Sequence, residues 1–199
     1  TIAKELNSDF YEVDVSDVNS VNQAVLDFSK QNEGIQVAVN CAGIGPAAKT
    51  VSRGEAHSSE LFAKVININL IGTFNVASIC AAQMVKNDNY SDDGFRGVII
   101  NTASVAAYDG QVGQAAYSAS KGGVVGLTLP MARDLSNKGV RVCSIAPGLF
   151  LTPLLESLPN EVQESFGAQV PFPSRLGKPK EFAQLVCHII ENDMLNGEV

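Results

Sequence analysis

Val98-Ile99-Ile100-Asn101-Thr102 is a run of mostly branched, apolar residues with no polar alternation, closed by Ala103-Ser104. A strand with one wet face alternates apolar and polar side chains. A run without alternation is expected where both faces are covered, as in a parallel sheet. Ile35-Gln36-Val37-Ala38-Val39-Asn40, stopped at Cys41-Ala42-Gly43, reads as another buried strand, and 139–145, stopped by Pro147-Gly148, as a third. Phe10-Tyr11-Glu12-Val13-Asp14-Val15 alternates and is expected to form a short strand.

Helical patterns separate these runs. Asp17 is placed to cap a helix through Val18, Val21, Val25 and Phe28, ended by Gly34. A long helix is expected over about 58–86, another from Gln114 toward Asn137, and a last one over 182–190. The stretches 45–57 and 87–97 read as loop. The region 149–179 holds five prolines (153, 159, 171, 173, 179), so it reads as loop with short helical pieces. Alternating strands and helices imply βαβ units with right-handed crossovers, hence an α/β fold with a parallel sheet covered on both faces. Sites in such sheets form outside the carboxyl ends of the strands. Asp14, Cys41, Ser104 and Pro147 all fall at or just past those ends.

The bulk numbers agree with a single domain over 1–199 and narrow the function classes. A hydrophobic fraction of 45% and a charged fraction of 18% do not suggest disorder. The formal net charge of −7 argues against a broad nucleic-acid surface, which needs clustered Lys and Arg. The four cysteines at 41, 80, 143 and 187 form no CxxC pair, so neither a zinc site nor a redox dithiol is signalled. Cys80, Cys143 and Cys187 lie in apolar stretches and read as core residues of a reducing compartment. No uninterrupted apolar run reaches about 18 residues, so no membrane span is expected, and the first residues lack a signal-peptide pattern.

The chemistry is concentrated in Tyr117-Ser118-Ala119-Ser120-Lys121. Tyr117 and Lys121 are four apart, which on a helix places both on one face about a turn apart. Phenols are poor bases at neutral pH, and an ammonium beside one favours the phenolate. Such a tyrosine can exchange a proton with an alcohol or carbonyl oxygen. Ser104, ending the strand 98–103, is placed to hold the same oxygen from the other side. Each piece alone is commonplace: Tyr-x-x-x-Lys occurs on solvated helix faces, and serines after strands are mostly turn formers. Their combination at strand ends is what points to a site. His57 and His188 read as structural or exposed, and neither sits with a nucleophile.

Tyr117-x-x-x-Lys121 with Ser104 thirteen residues before the tyrosine resembles the active site of the short-chain dehydrogenases/reductases. So do Asn40-Cys41-Ala42-Gly43, Asn69 within Asn67-Ile68-Asn69-Leu70, and Pro147-Gly148. The resemblance spans essentially the whole chain. It implies a Rossmann-type doubly wound parallel sheet, with Asn69, Ser104, Tyr117 and Lys121 catalytic and NAD as cofactor. Asp14 and Val15 would contact the adenine, Cys41, Ala42 and Gly43 would line the adenosine side, and Lys121 and Tyr117 would meet the nicotinamide ribose. Asn69 would hold a water of the proton relay, Phe150 and Thr152 would touch the nicotinamide end, and Gln114 and Ser104 would face substrate. Plainer readings stand beside three of these: Asp14 as a turn cap, Cys41 as a small packed residue, Phe150 as packing in a substrate lid over about 149–179.

Further runs, at 97–107, 110–117, 146–150, 170–177 and 195–199, resemble the mitochondrial members that oxidise the 3-hydroxyl of short or branched 3-hydroxyacyl-CoA. That implies a homotetramer, a mitochondrial location and hydroxysteroids as additional substrates. It leaves open a 3-ketoacyl-carrier-protein reductase, and a non-catalytic place in a mitochondrial tRNA-processing complex that would touch nucleic acid only indirectly. The small residues of 114–137 would allow close helix approach across a dimer interface. The family's glycine-rich TGxxxGxG turn, the acidic residue that selects NAD over NADP, and the last strand have no counterpart in the chain. With the family's strand order 3-2-1-4-5-6-7, one or two spacings of about 5 Å would stand empty between 10–15 and 35–40. The chain is therefore expected to be a fragment of a longer protein lacking an N-terminal βαβ unit and the last strand, with weak cofactor binding if it stands alone.

Overall fold

A computed structural model describes residues 2–156 and 159–199. In chain order the elements begin with α1 (Ile2–Leu6), α2 (Val18–Gln31), β1 (Val37–Asn40) and a small hairpin, β2 (Val51–Ser52) and β3 (Glu55–Ala56). Next comes one long helix made of α3 (Ser59–Ile66), a π-helical turn (Asn67–Ile71) and α4 (Gly72–Met84). Then follow β4 (Gly97–Thr102), α5 (Ala115–Leu135), β5 (Val140–Ile145), α6 (Pro153–Glu156), α7 (Asn160–Ala168) and α8 (Pro179–Glu191).

The central sheet is parallel and runs β1-β4-β5, with Ile99 opposite Ala38 and Val142, and Asn101 opposite Asn40 and Ser144. On one face Ala38, Ile99, Val140 and Val142 pack on Ala77, Cys80, Ala81 and Met84 of α4 and on Met131 and Ala132 of α5. On the other, Val98, Ile100, Cys143 and Ile145 meet Phe182, Val186, Ile189 and Ile190 of α8. Ile99 and Ile100, successive residues facing opposite layers, are both fully buried. Each is worth roughly 2–3 kcal/mol relative to exposure, which is why the unalternating run settles as the middle strand.

Local signals set the element ends. Asp17 caps α2 by accepting from Asn19 N, and Ser58 caps α3 by accepting from Leu61 N. Pro179 opens α8, with Glu181 reaching back to the Lys178 N–H at 2.7 Å. The start of α8 therefore lies three residues ahead of the sequence expectation of 182, because an N-terminal Pro and an acidic third position mark a helix start.

Three expectations are corrected. Residues 10–15 form no strand: no described strand lies beside them to complete a ladder, and alternation alone cannot supply one. The loop 45–57 contains the β2–β3 hairpin, turned by Arg53 and Gly54 with φ of 54° and 85°, the pair of positive values a type I′ turn requires. Cys187 is exposed, since α8 turns Val186, Ile189 and Ile190 to the sheet and leaves it outside. By length and composition alone, Ser59–Met84 is apolar enough to cross a membrane. Its Val65, Asn69, Thr73, Ala77, Cys80, Ala81 and Met84 are buried within this fold.

Past α8 the chain runs along β5. Gly197 N donates to Val142 O at 2.8 Å, Ser144 N to Glu198 O at 2.9 Å, and Val142 N to Asn196 Oδ1 at 2.9 Å. Arg141, buried in β5, ties this end down by donating to the carbonyls of Ile189, Ile190 and Leu195 at 2.8–2.9 Å.

Candidate active site

The carboxyl ends of β1 and β4 and the first turns of α5 converge beside the π-helical turn of the long helix. Gly72 N bonds Asn67 O, an i→i+5 register, and such turns mark places where a helix departs from its regular path. The wide turn holds Asn69, which is fully buried. Its Oδ1 accepts from Ile44 N at 2.8 Å; its Nδ2 donates to Ile44 O at 2.8 Å and to Ser120 Oγ at 3.0 Å. Both amide hydrogens are thus committed, so a water could meet this side chain only at its oxygen. The main-chain carbonyl of Asn69 accepts from Thr73 Oγ1 at 2.7 Å.

Lys121 is 5% exposed. Its Nζ donates to Thr102 O at 2.7 Å and lies 5.8 Å from the centroid of the Tyr117 ring. Burial lowers the pKa of this ammonium, while nearby Cys41 acts in the opposite sense. The run 43–45 threads between these side chains. A Cβ on Gly43 would lie 3.2 Å from Asn69 Oδ1 and 3.7 Å from Lys121 Nζ, and one on Gly45 would lie 3.4 Å from the Tyr117 ring. Tyr117 is half-buried, whereas Cys41, Ala42 and Gly43 are exposed, so the end of β1 is open to solvent. Thr102 Oγ1 contacts Cys41 Sγ at 3.8 Å across the β1–β4 ends.

Ser104 is 8% exposed; its Oγ accepts from Ala106 N at 3.1 Å, capping the 3₁₀ turn Val105–Ala107. An acceptor bond leaves its O–H free to donate. Val105 N bonds Pro147 O at 3.0 Å, which brings the end of β5 alongside. Gln114 stands at the N-cap of α5, half-buried, and accepts from Gln111 N at 2.9 Å, so its side chain closes the turn before the helix.

The other expected site residues have their own local partners or exposure. Asp14 is exposed and caps its own turn: Oδ1 accepts from Ser16 N at 2.9 Å and from Ser16 Oγ at 2.6 Å. The Ser16 hydroxyl, then its N–H, hold the carboxyl below its usual range. Val15 is pinned to α4: its carbonyl accepts from Asn75 Nδ2 at 3.0 Å, and a Cβ on Gly72 would strike its side chain at 2.6 Å. The Phe150 ring packs on Gly177 and, edge-on, on Phe182 at 6.4 Å between centroids. These contacts place it at the base of 149–179. Thr152 is exposed. Sequence reasoning passed over Ser120, Gly45 and the Thr102 carbonyl. Ser120 lies inside the Tyr117-to-Lys121 motif, and that position was its only signal.

A family model for short chain dehydrogenases matches residues 1–163. The chain belongs to the short-chain dehydrogenase family. Its members are oxidoreductases, and so is this protein. It is 57% identical to the 3-hydroxyacyl-CoA dehydrogenase type-2 of Bos taurus, over all of this chain and 77% of the bovine one. Among solved structures, the 3-hydroxyacyl-CoA dehydrogenase type-2 from Mycobacterium avium superposes with a TM-score of 0.92 at 40% identity, over 100% of this chain and 77% of that one. ElxO with NADP bound superposes at 0.86 and 26% identity, over 98% and 76%. In this short-chain dehydrogenase, glycine at position 43 keeps the end of β1 clear of Asn69 and Lys121.

Proposed function

We propose that the protein oxidises the 3-hydroxyl of a short or branched 3-hydroxyacyl-CoA to the ketone with NAD, and reduces the ketone in the reverse direction. The observation that carries this reading is the buried Lys121 ammonium beside the Tyr117 ring at the strand ends. The 57% identity to a 3-hydroxyacyl-CoA dehydrogenase supports the substrate.

A nicotinamide cofactor fits the residues present. Gly43 leaves open the floor that a Cβ would fill against Asn69 and Lys121, and Cys41, Ala42 and Gly43 are exposed at the end of β1. Asp14 and Val15 would hold the adenine end, Lys121 the nicotinamide ribose, and Phe150 and Thr152 the far end. When bound, the cofactor supplies the acceptor for the hydride that leaves the carbinol carbon.

The chain's own residues manage the proton. Tyr117, as phenolate, takes the hydroxyl proton as the alcohol becomes a carbonyl, and returns it in reduction. The Lys121 ammonium, held by Thr102 O and removed from water, stabilises the phenolate. Ser104 donates to the substrate oxygen. Asn69 fixes the loop at Ile44 against the long helix. Gln114 borders the substrate side, and 149–179 forms the lid of the single domain. Hydroxysteroids are additional substrates, and the protein works as a mitochondrial homotetramer. Gly123 is used within the chain, since a Cβ there would strike Leu70 at 2.6 Å, whereas Gly126 faces open space and is available to a partner helix.

The test is reduction of acetoacetyl-CoA compared with the acyl-carrier-protein thioester, each with NADH and NADPH. The proposal expects the CoA ester with NADH to have the highest kcat/KM. A preference for the carrier-protein thioester would assign a 3-ketoacyl reductase instead.

A further inference from the structure

We infer that Ser120 is a positioning residue for the proton-transfer tyrosine, coupling Asn69 to the helical turn that carries Tyr117 and Lys121. The inference rests on the role proposed above for Tyr117. Ser120 is fully buried. Its hydroxyl accepts from Asn69 Nδ2 at 3.0 Å and donates to the main-chain carbonyl of Tyr117 at 2.7 Å. The relay therefore runs unbroken from the Ile44 peptide, through the Asn69 amide, to the Tyr117 backbone.

A hydroxyl is the group this position needs. It must accept on one side and donate on the other within a dry space, and of the small side chains only Ser and Thr do both well. An alanine would leave one Asn69 N–H buried without a partner and release the Tyr117 carbonyl from its second donor. Lys121 follows Ser120 directly, and the 5.8 Å spacing of its Nζ from the Tyr117 ring depends on that turn. Loosening the turn weakens the hold of the ammonium on the phenolate, and catalytic geometry is sensitive to displacements well below 1 Å.

Thr128 provides the control. It lies two turns further along α5, is also fully buried, and its hydroxyl bonds Val124 O at 3.0 Å and meets Ser144 Oγ at 2.6 Å. It has the same kind of bond on the same helix, away from Tyr117.

The experiment measures kcat, KM and the pH profile of kcat for 3-hydroxybutyryl-CoA oxidation in the wild type, Ser120→Ala, Ser120→Thr, Thr128→Ala and Tyr117→Phe. Ser120→Ala is expected to lower kcat about tenfold with substrate KM nearly unchanged, and to move the pH midpoint of kcat upward. Ser120→Thr, which restores the hydroxyl, is expected to return the midpoint toward wild type. Thr128→Ala is expected to lower thermal stability while leaving the midpoint in place. If Ser120→Ala is not recovered folded, Ser120→Cys carries the test, since it keeps the volume with a weaker donor, and the same upward shift is expected. A midpoint identical to wild type in whichever of these two variants folds would overturn the inference. Activity retained in Tyr117→Phe would overturn the underlying proposal instead, so the two failures are distinguishable.

Discussion

Lys121 shows how a single residue can be set against the stability of its own fold. Its ammonium is buried with one strong acceptor, the Thr102 carbonyl at 2.7 Å, and desolvation lowers its pKa. Burying a charge costs free energy that one neutral acceptor does not fully return. Lys121→Met keeps the apolar stem and removes the charge. The expected outcome is a kcat at least about 100-fold lower, within the range ascribed to a general acid–base, with a melting temperature equal to or above wild type. A matched loss of both, read by thermal unfolding beside kinetics, would mean that Lys121 serves the fold first. The pair Tyr117 and Lys121 was legible because helical spacing fixes which side chains share a face. Ser120, between them, was not, because its part depends on Asn69, 51 residues away, and no local pattern encodes that meeting.

The elements divide by how their stability is specified. β4, β5 and α5 are buried runs or long helices whose apolar pattern is sufficient, and the structure places them within a residue or two of the sequence boundaries. Residues 10–15 fail as a strand because a strand is defined by its neighbour, and the π turn at Asn67–Ile71 was invisible because it is a shift of hydrogen-bond register. The start of α8 carries a pH prediction. Glu181 accepts from Lys178 N at 2.7 Å and forms a two-point pair with Arg175 at 2.6 and 2.9 Å. The Arg175 bonds first, then the Lys178 N–H, hold its carboxyl at about 2, against 4.5 for a free glutamate. Because the folded value is the lower one, the contribution to stability is complete above about pH 4.5 and is lost as pH falls toward about 2. Glu181→Gln should melt below wild type at neutral pH, with the gap closing over that acid range. A gap independent of pH would show that the pair contributes nothing through ionisation.

For the molecule as a whole, the sheet is held between α4 and α5 on one side and α8 on the other. Arg141 joins β5 to the far end of α8 and to the segment after it. Its guanidinium satisfies three carbonyls and lies 5.5 Å from the Phe95 ring centroid, and Asp193 approaches at 3.8 Å. Arg141→Met would leave those carbonyls without their donors, and a loss of about 3 kcal/mol is expected by denaturant unfolding. A change under about 0.5 kcal/mol, typical of an exposed site, would show that the latch is dispensable. The family and its sheet were legible from the strand pattern and the Tyr117 motif, whereas the packing of Phe150 at the base of 149–179 and the exposure of Cys187 depend on tertiary contacts. In the proposed function, Tyr117 exchanges the proton in a hydride transfer on a 3-hydroxyacyl-CoA. NADH-dependent reduction of acetoacetyl-CoA by the wild type and Tyr117→Phe tests it most directly. Turnover by the wild type and a loss of at least about 1,000-fold in kcat for the folded variant are expected; turnover by Tyr117→Phe within a few fold of wild type would rule out this role for the phenol.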